Sequence, residues 1–135
     1  MNNKSVEYCC LRIDPFVRED DINEVNMFGE YDLIIKFKDG RKYTYDMFTN
    51  TFRRILYEDD NLTDDQWNFE FRTRLSQLIS RNFITNKELA ERMDTSEVTI
   101  SRYLNGRCIP NSRMLDRLIT ALGCSFEEFF YFKYF

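Results

Sequence analysis

Residues 85–110 read TNKELAERMDTSEVTISRYLNGRCIP, and the polar run within them closes on Ser101-Arg102-Tyr103-Leu104-Asn105-Gly106-Arg107. The chain has no histidine, and none of its carboxylates is flanked by a nucleophile motif or a Gly-rich phosphate loop, so no enzyme and no cofactor are expected. The four cysteines, Cys9, Cys10, Cys108 and Cys124, show no C-x-x-C spacing, so no metal site is expected either. Cys9 and Cys10 would point to opposite faces of a strand as packed thiols, which fits a reducing compartment. What the quoted stretch does offer is hydroxyls, carboxamides and guanidinium groups. Those groups hydrogen-bond phosphate oxygens and base edges.

The bulk charge opposes that chemistry. Polyphosphate partners are usually met by basic surfaces, yet this chain of 135 residues carries a formal net charge of −4. Counting by segment removes the conflict. Residues 1–67 have a balance of −6, residues 68–123 one of +3, and the last twelve residues one of −1. The acid gathers at REDD (18–21) and EDDNLTDD (58–65), while the quoted stretch lies in the basic part. A boundary near residues 58–66 follows, with an acidic interaction, dimerisation or sensing module over 1–62 and a second domain over 63–135. No apolar run is long enough to span a membrane and no targeting series opens the chain, so a cytoplasmic protein is expected.

The elements that must position the polar stretch follow from local rules. Thr63-Asp64-Asp65-Gln66 has the form of a capping box, and Trp67, Phe71, Leu75, Leu78 and Ile79 then recur at helical spacing to about Arg81. Thr85 caps a short second helix with Leu89, Ala90 and Met93 inward. Ser96 caps a third, with Ile100 and either Tyr103 or Leu104 buried and Asn105-Gly106 as its stop. Asn111 or Ser112 opens a fourth with Met114, Leu115, Leu118, Ile119 and Leu122 apolar, and Gly123 ends it. Ser125 with Glu128 caps a last short one around Phe126, Phe129 and Phe130. Two short helices joined by three or four residues, the second polar on its outer face, form a helix-turn-helix. The tail FEEFFYFKYF is too aromatic for water, and it either packs on the N-terminal module or makes a dimer contact.

In the N-terminal half, Tyr31, Leu33, Ile35 and Phe37 alternate as a half-buried strand, and Asp39-Gly40 marks a turn. A three-residue loop, Lys38-Asp39-Gly40 with Gly40 left-handed, sets Ile35 against Tyr43 and Leu33 against Tyr45 and so gathers the apolar residues on one face. Lys36 then opposes Lys42 and Asp32 opposes Asp46. Phe48, Phe52, Ile55 and Leu56 predict a helix over about 48–57, and VEYCCLRI (6–13) a further strand. This pattern resembles the short hairpin-plus-helix modules of KTSC type. The expected fold class is α+β: a small antiparallel sheet with one helix, then an all-α five-helix domain.

Over residues 68–130 the sequence closely resembles the lambda-repressor-like (Cro or Xre type) helix-turn-helix DNA-binding domains. The matching residues are Thr85, Glu88-Leu89-Ala90, Ser96, Thr99-Ile100-Ser101-Arg102, Asn105-Gly106, Pro110-Asn111-Ser112, Leu115, Leu118 and Ala121-Leu122-Gly123. Departures are Ile79 and Leu104, where many members pair Arg with Glu, Asp94 at a turn usually filled by Gly, and Asn86 in place of Gln. The resemblance implies that Ser96, Glu97, Val98, Thr99 and Arg102 face the bases. Arg102 would bond guanine O6 and N7, Glu97 would accept from cytosine N4, and Val98 or the Thr99 methyl would pack on a thymine methyl. Asn86, Lys87, Asn105, Arg107 and Arg113, at helix ends around that face, are the expected phosphate contacts. The implied protein is a dimeric transcriptional repressor of a phage or mobile element on a pseudo-palindromic operator of double-stranded DNA. Two alternatives stand beside it: an antitoxin-like autorepressor, and a phage anti-defence (anti-CRISPR-like) inhibitor whose acidic N-terminal half binds a basic protein partner.

Overall fold

A computed structural model describes residues 19–57 and 62–134. The chain divides into two compact units, residues 1–60 with 134–135 and residues 61–133. The expected strand over residues 6–13, with Cys9 and Cys10, lies outside the described residues.

The first unit is an antiparallel meander of β1 (Ile22–Phe28), β2 (Asp32–Phe37), β3 (Lys42–Asp46) and β4 (Thr51–Ile55), in that spatial order. The β2–β3 register is the one that collects the apolar side chains: Leu33 pairs with Tyr45 and Ile35 with Tyr43. Lys36 opposite Lys42 and Asp32 opposite Asp46 come with it. The loop closes through the Phe37 N–H on the Arg41 carbonyl (2.8 Å) and the Gly40 N–H on the Phe37 carbonyl (3.0 Å). Gly40 sits at φ +95°, a backbone that side chains disfavour. Asp39 accepts the Arg41 N–H at 3.0 Å, and that bond, with the Arg41 guanidinium beside it, holds the Asp39 carboxyl below its ordinary range. Leu33, Ile35, Phe37 and Tyr45 form the core of this face, flanked by Ile22, Val25, Tyr43, Met47 and Phe52.

Two features differ from expectation. The segment predicted as a helix over 48–57 is a turn followed by β4. Asp46 Oδ1 accepts the N–H groups of Phe48 (2.9 Å) and Thr49 (3.4 Å), Tyr45 Oη bonds Asn50 Oδ1 at 2.6 Å, and Asn50 takes a left-handed φ of 56°. That side-chain-to-backbone bonding reverses the chain before a helix can start. Phe52 then stacks on Tyr45 at 4.1 Å, while Leu56, which a helix would bury, is 79% exposed. The KTSC-type helix is therefore absent from this position. β1, which periodicity does not flag, pairs with β2 through a bulge between Ile22 and Glu24.

The second unit follows its caps. α1 (Asp64–Arg81) starts with the reciprocal Thr63–Gln66 capping box. α2 (Asn86–Arg92) begins at Thr85, α3 (Glu97–Leu104) at Ser96, α4 (Ser112–Leu122) at Asn111 and α5 (Phe126–Phe129) at Ser125. Each cap side chain accepts a backbone N–H three residues on. Phe71, Leu75, Leu78, Ile79, Leu89, Ala90, Met93, Ile100, Tyr103, Leu118 and Leu122 are buried, whereas Leu115 and Leu104 are half-buried. Most of the aromatic tail takes a third course beside the two expected ones, with Phe129, Phe130, Tyr131 and Phe132 buried, while Tyr134 groups with the sheet unit and lies 5.0 Å from Phe28, in line with the first. Phe129 lies 5.4 Å from Phe71, and Phe130 and Phe132 lie 6.0 and 5.8 Å from Trp67 of α1. Among the described residues no helix is long and apolar enough to cross a membrane.

Candidate nucleic-acid interface

The geometry of the site is set by the turn between α2 and α3. Met93, 1% exposed, pins the turn to the core, and Asp94 follows at φ 55°. An aspartate tolerates that left-handed backbone better than most residues. The Thr95 N–H reaches back to the Ala90 carbonyl at 2.9 Å, so α2 ends sharply and α3 leaves in a new direction. Two arginines brace the turn. Arg92 Nη1 donates to the Ala121 carbonyl (3.2 Å) and Arg117 Nη1 to the Met93 carbonyl (3.4 Å), tying α2 and α4 together.

With Ile100 at 0% and Tyr103 at 4% exposure, the inward face of α3 is fixed, and the opposite face is necessarily presented to solvent. Burial also pushes the Tyr103 phenol up, with Cys108 adding to the shift. The presented face carries Ser96, Glu97, Val98 and Arg102, all exposed, with Thr99 half-buried. Val98 is 59% exposed, a large value for a β-branched residue in the middle of a compact unit. The Ser96 and Thr99 hydroxyls stand 3.0 Å apart, and Ser96 Oγ also accepts the Thr99 N–H at 3.2 Å. Capping therefore uses part of their bonding capacity, leaving Glu97 and Arg102 as the groups with most to offer a ligand.

Around this face, Asn86 and Lys87 open α2, Asn105 and Arg107 follow α3, and Arg113 lies in the first turn of α4. All are exposed except Asn86, which is half-buried. Sequence reading misses one neighbour. The Arg72 side chain of α1 lies so close over Gly106 that a Cβ there would meet its Cδ and Nε at 3.0 Å. Gly106, at φ +71°, is thus required for close approach as well as for its left-handed backbone, and Arg72 adds a cation where α3 ends. One polar position in an amphipathic helix gives no local signal of this.

The thiols offer a check on which surface is covered. Cys108, just past Arg107, is exposed, whereas burial pushes the Cys124 thiol up to about 11. At mildly alkaline pH a maleimide should modify Cys108 readily and Cys124 slowly. Saturating duplex DNA should slow Cys108 labelling several-fold, as read by peptide mapping. Unchanged labelling would place the DNA elsewhere.

Comparison with known proteins agrees with a helix-turn-helix made of α2 and α3. The family described as Helix-turn-helix matches residues 84–129. The chain is also similar to Multiprotein-bridging factor 1a of Arabidopsis thaliana, 26% identical over 107 residues that cover 78% of this chain and 75% of that protein. No solved structure matches. A helix-turn-helix points to a DNA-binding regulatory protein. Over residues 84–129 the chain is thus similar to the helix-turn-helix family, consistent with the Cro/Xre-type resemblance of its sequence.

Proposed function

We propose that the protein is a sequence-specific transcriptional regulator, a repressor that binds a pseudo-palindromic operator as a dimer. The observation that carries this reading is the division of α3, which buries Ile100 and Tyr103 while leaving Glu97, Val98 and Arg102 in solvent. Those three residues supply a carboxylate acceptor, a methyl surface and a bidentate donor, which together discriminate among base pairs in the major groove. Asn86, Lys87, Asn105, Arg107 and Arg113, joined by Arg72, set the register by bonding phosphates. A single segment of this size reads only a few base pairs, so two copies on half-sites about one helical turn apart give the specificity a genome demands. A phage or mobile-element origin, and a domain organisation of 1–62 and 63–135, belong to the same reading.

A second reading rests on the matched relative, whose name describes a protein-bridging factor and whose similarity extends beyond the helix-turn-helix. On that reading the sheet unit holds a second protein, as in an autorepressing antitoxin or an anti-defence inhibitor. Selection from a random duplex library separates the two. Enrichment of a palindrome by the full chain supports the operator-binding dimer. Enrichment of a single half-site removes the dimer, and no enrichment removes sequence-specific regulation and leaves protein binding.

A further inference from the structure

The first half of the chain is acidic, yet within residues 19–57 the positive charges are concentrated. All six Lys and Arg residues between 19 and 57, namely Lys36, Lys38, Arg41, Lys42, Arg53 and Arg54, fall in the stretch from 36 to 54. Four of them, Lys36, Arg41, Lys42 and Arg54, line a cleft of about 590 Å³ at the hairpin end of the sheet. Asp39 is the one carboxylate among its lining residues, and Asn23 and Tyr57 add polar groups.

Three details indicate a built site. Lys36 and Lys42 are directly opposed across β2 and β3, a like-charge arrangement that weakens a sheet. The register itself is secured by the Leu33–Tyr45 and Ile35–Tyr43 pairs, so it does not require lysine at both positions. The cations are also held in place. Arg41 lies over the Phe37 ring at 5.0 Å and bonds Asp39 at 2.7 Å, Lys42 Nζ donates to the Tyr57 carbonyl at 3.2 Å, and Lys36 Nζ is 3.9 Å from Glu24. Finally, the lining is chiefly polar and charged, unlike the mostly apolar pockets that take small organic ligands. Fixed cations in an open polar cleft suit successive phosphates of a polyanion.

We propose that this cleft is a second anion site, which takes backbone phosphates of the duplex that α3 reads. The inference rests on the DNA-binding reading of α3. Because both units belong to one chain, DNA held by α3 meets the cleft at high effective concentration, so a weak site of a few phosphates adds measurably to affinity. It adds no sequence preference, only salt dependence.

The test measures binding of the full chain to a mixed-sequence duplex of about 40 base pairs over a range of salt. Lys36→Gln with Arg54→Gln should flatten the slope of log K against log salt by about two units, so that a fourfold rise in salt costs the wild type roughly tenfold more affinity than the variant. Arg54→Gln alone, at an exposed position, should remove about one unit and guards against misfolding of the double variant. A slope and affinity equal to wild type would overturn the proposal. Arg102→Ala with Arg107→Ala is run in parallel. If that variant loses binding and the cleft variant does not, only the cleft falls. If the cleft variant alone loses binding, the α3 reading falls, and with it the shared duplex that the proposal requires. No binding by wild type would refute both.

Discussion

Replacing Arg102 by alanine is expected to relax base specificity at one position of each half-site, at about 1–3 kcal/mol of lost discrimination, or roughly 5- to 150-fold in relative affinity. The physical basis is the position of the side chain. Arg102 is exposed in the last turn of α3, on the face opposite Ile100 and Tyr103, so its removal should leave the core unchanged. A guanidinium there presents two parallel donors, which guanine matches with O6 and N7 and which adenine, with one donor among those positions, does not. Arg102→Lys keeps the charge but loses the fork, and should recover affinity for random DNA while recovering little of the discrimination. The measurement is a set of affinities for duplexes with each base pair at each position. Equal losses on cognate and random duplexes would assign Arg102 to phosphate binding instead.

The parts of the molecule that are legible in sequence are those governed by local chemistry. Thr63, Thr85, Ser96, Asn111 and Ser125 each announce a helix start because an N-cap needs only a side-chain oxygen and the three residues after it. The β2–β3 register is legible for a related reason: only one loop length gathers Leu33, Ile35, Tyr43 and Tyr45 on one face. The failures arise where a distant or irregular feature decides. The spacing of Phe48, Phe52, Ile55 and Leu56 fits a helix, but the Asp46 and Asn50 side chains bend the backbone first, and β3 then offers Phe52 and Ile55 a strand to pair with. β1 escapes because its bulge puts Ile22 and Val25 three apart, which breaks the alternation that marks a strand. At the candidate interface, the exposed face of α3 is readable from one helix alone. Arg72 is not, since it reaches Gly106 from a residue thirty-four positions earlier.

Arg74→Ala is expected to destabilise the helical unit by about 3–5 kcal/mol, a large share of the roughly 5–15 kcal/mol that folded domains possess. Arg74 is completely buried in α1, an unusual location for a guanidinium, and its surroundings explain how it is tolerated. Its Nε donates to the Glu128 carbonyl at 2.8 Å, Nη2 donates to the same oxygen, and Nη1 donates to Gln77 Oε1 at 3.2 Å. The guanidinium carbon also lies 4.2 Å over the Tyr131 ring, a desolvated cation–π contact. One side chain thus ties α1 to the segment from Glu128 to Tyr131, whose neighbours Phe129 and Phe130 complete the aromatic cluster on Phe71 and Trp67. Truncation leaves the Glu128 carbonyl unpaired, opens a cavity and removes a cation one helical turn from the buried Glu70. Arg74→Lys restores the charge without the fork over Tyr131 and should fall between wild type and alanine. Denaturant titration reads the difference as a shift in midpoint at constant m-value. DNA binding by the alanine variant should recover at low temperature in proportion to the folded fraction, because Arg74 is enclosed and touches no ligand surface. A loss of less than about 1 kcal/mol would mean that the tail folds onto α1 through its rings alone.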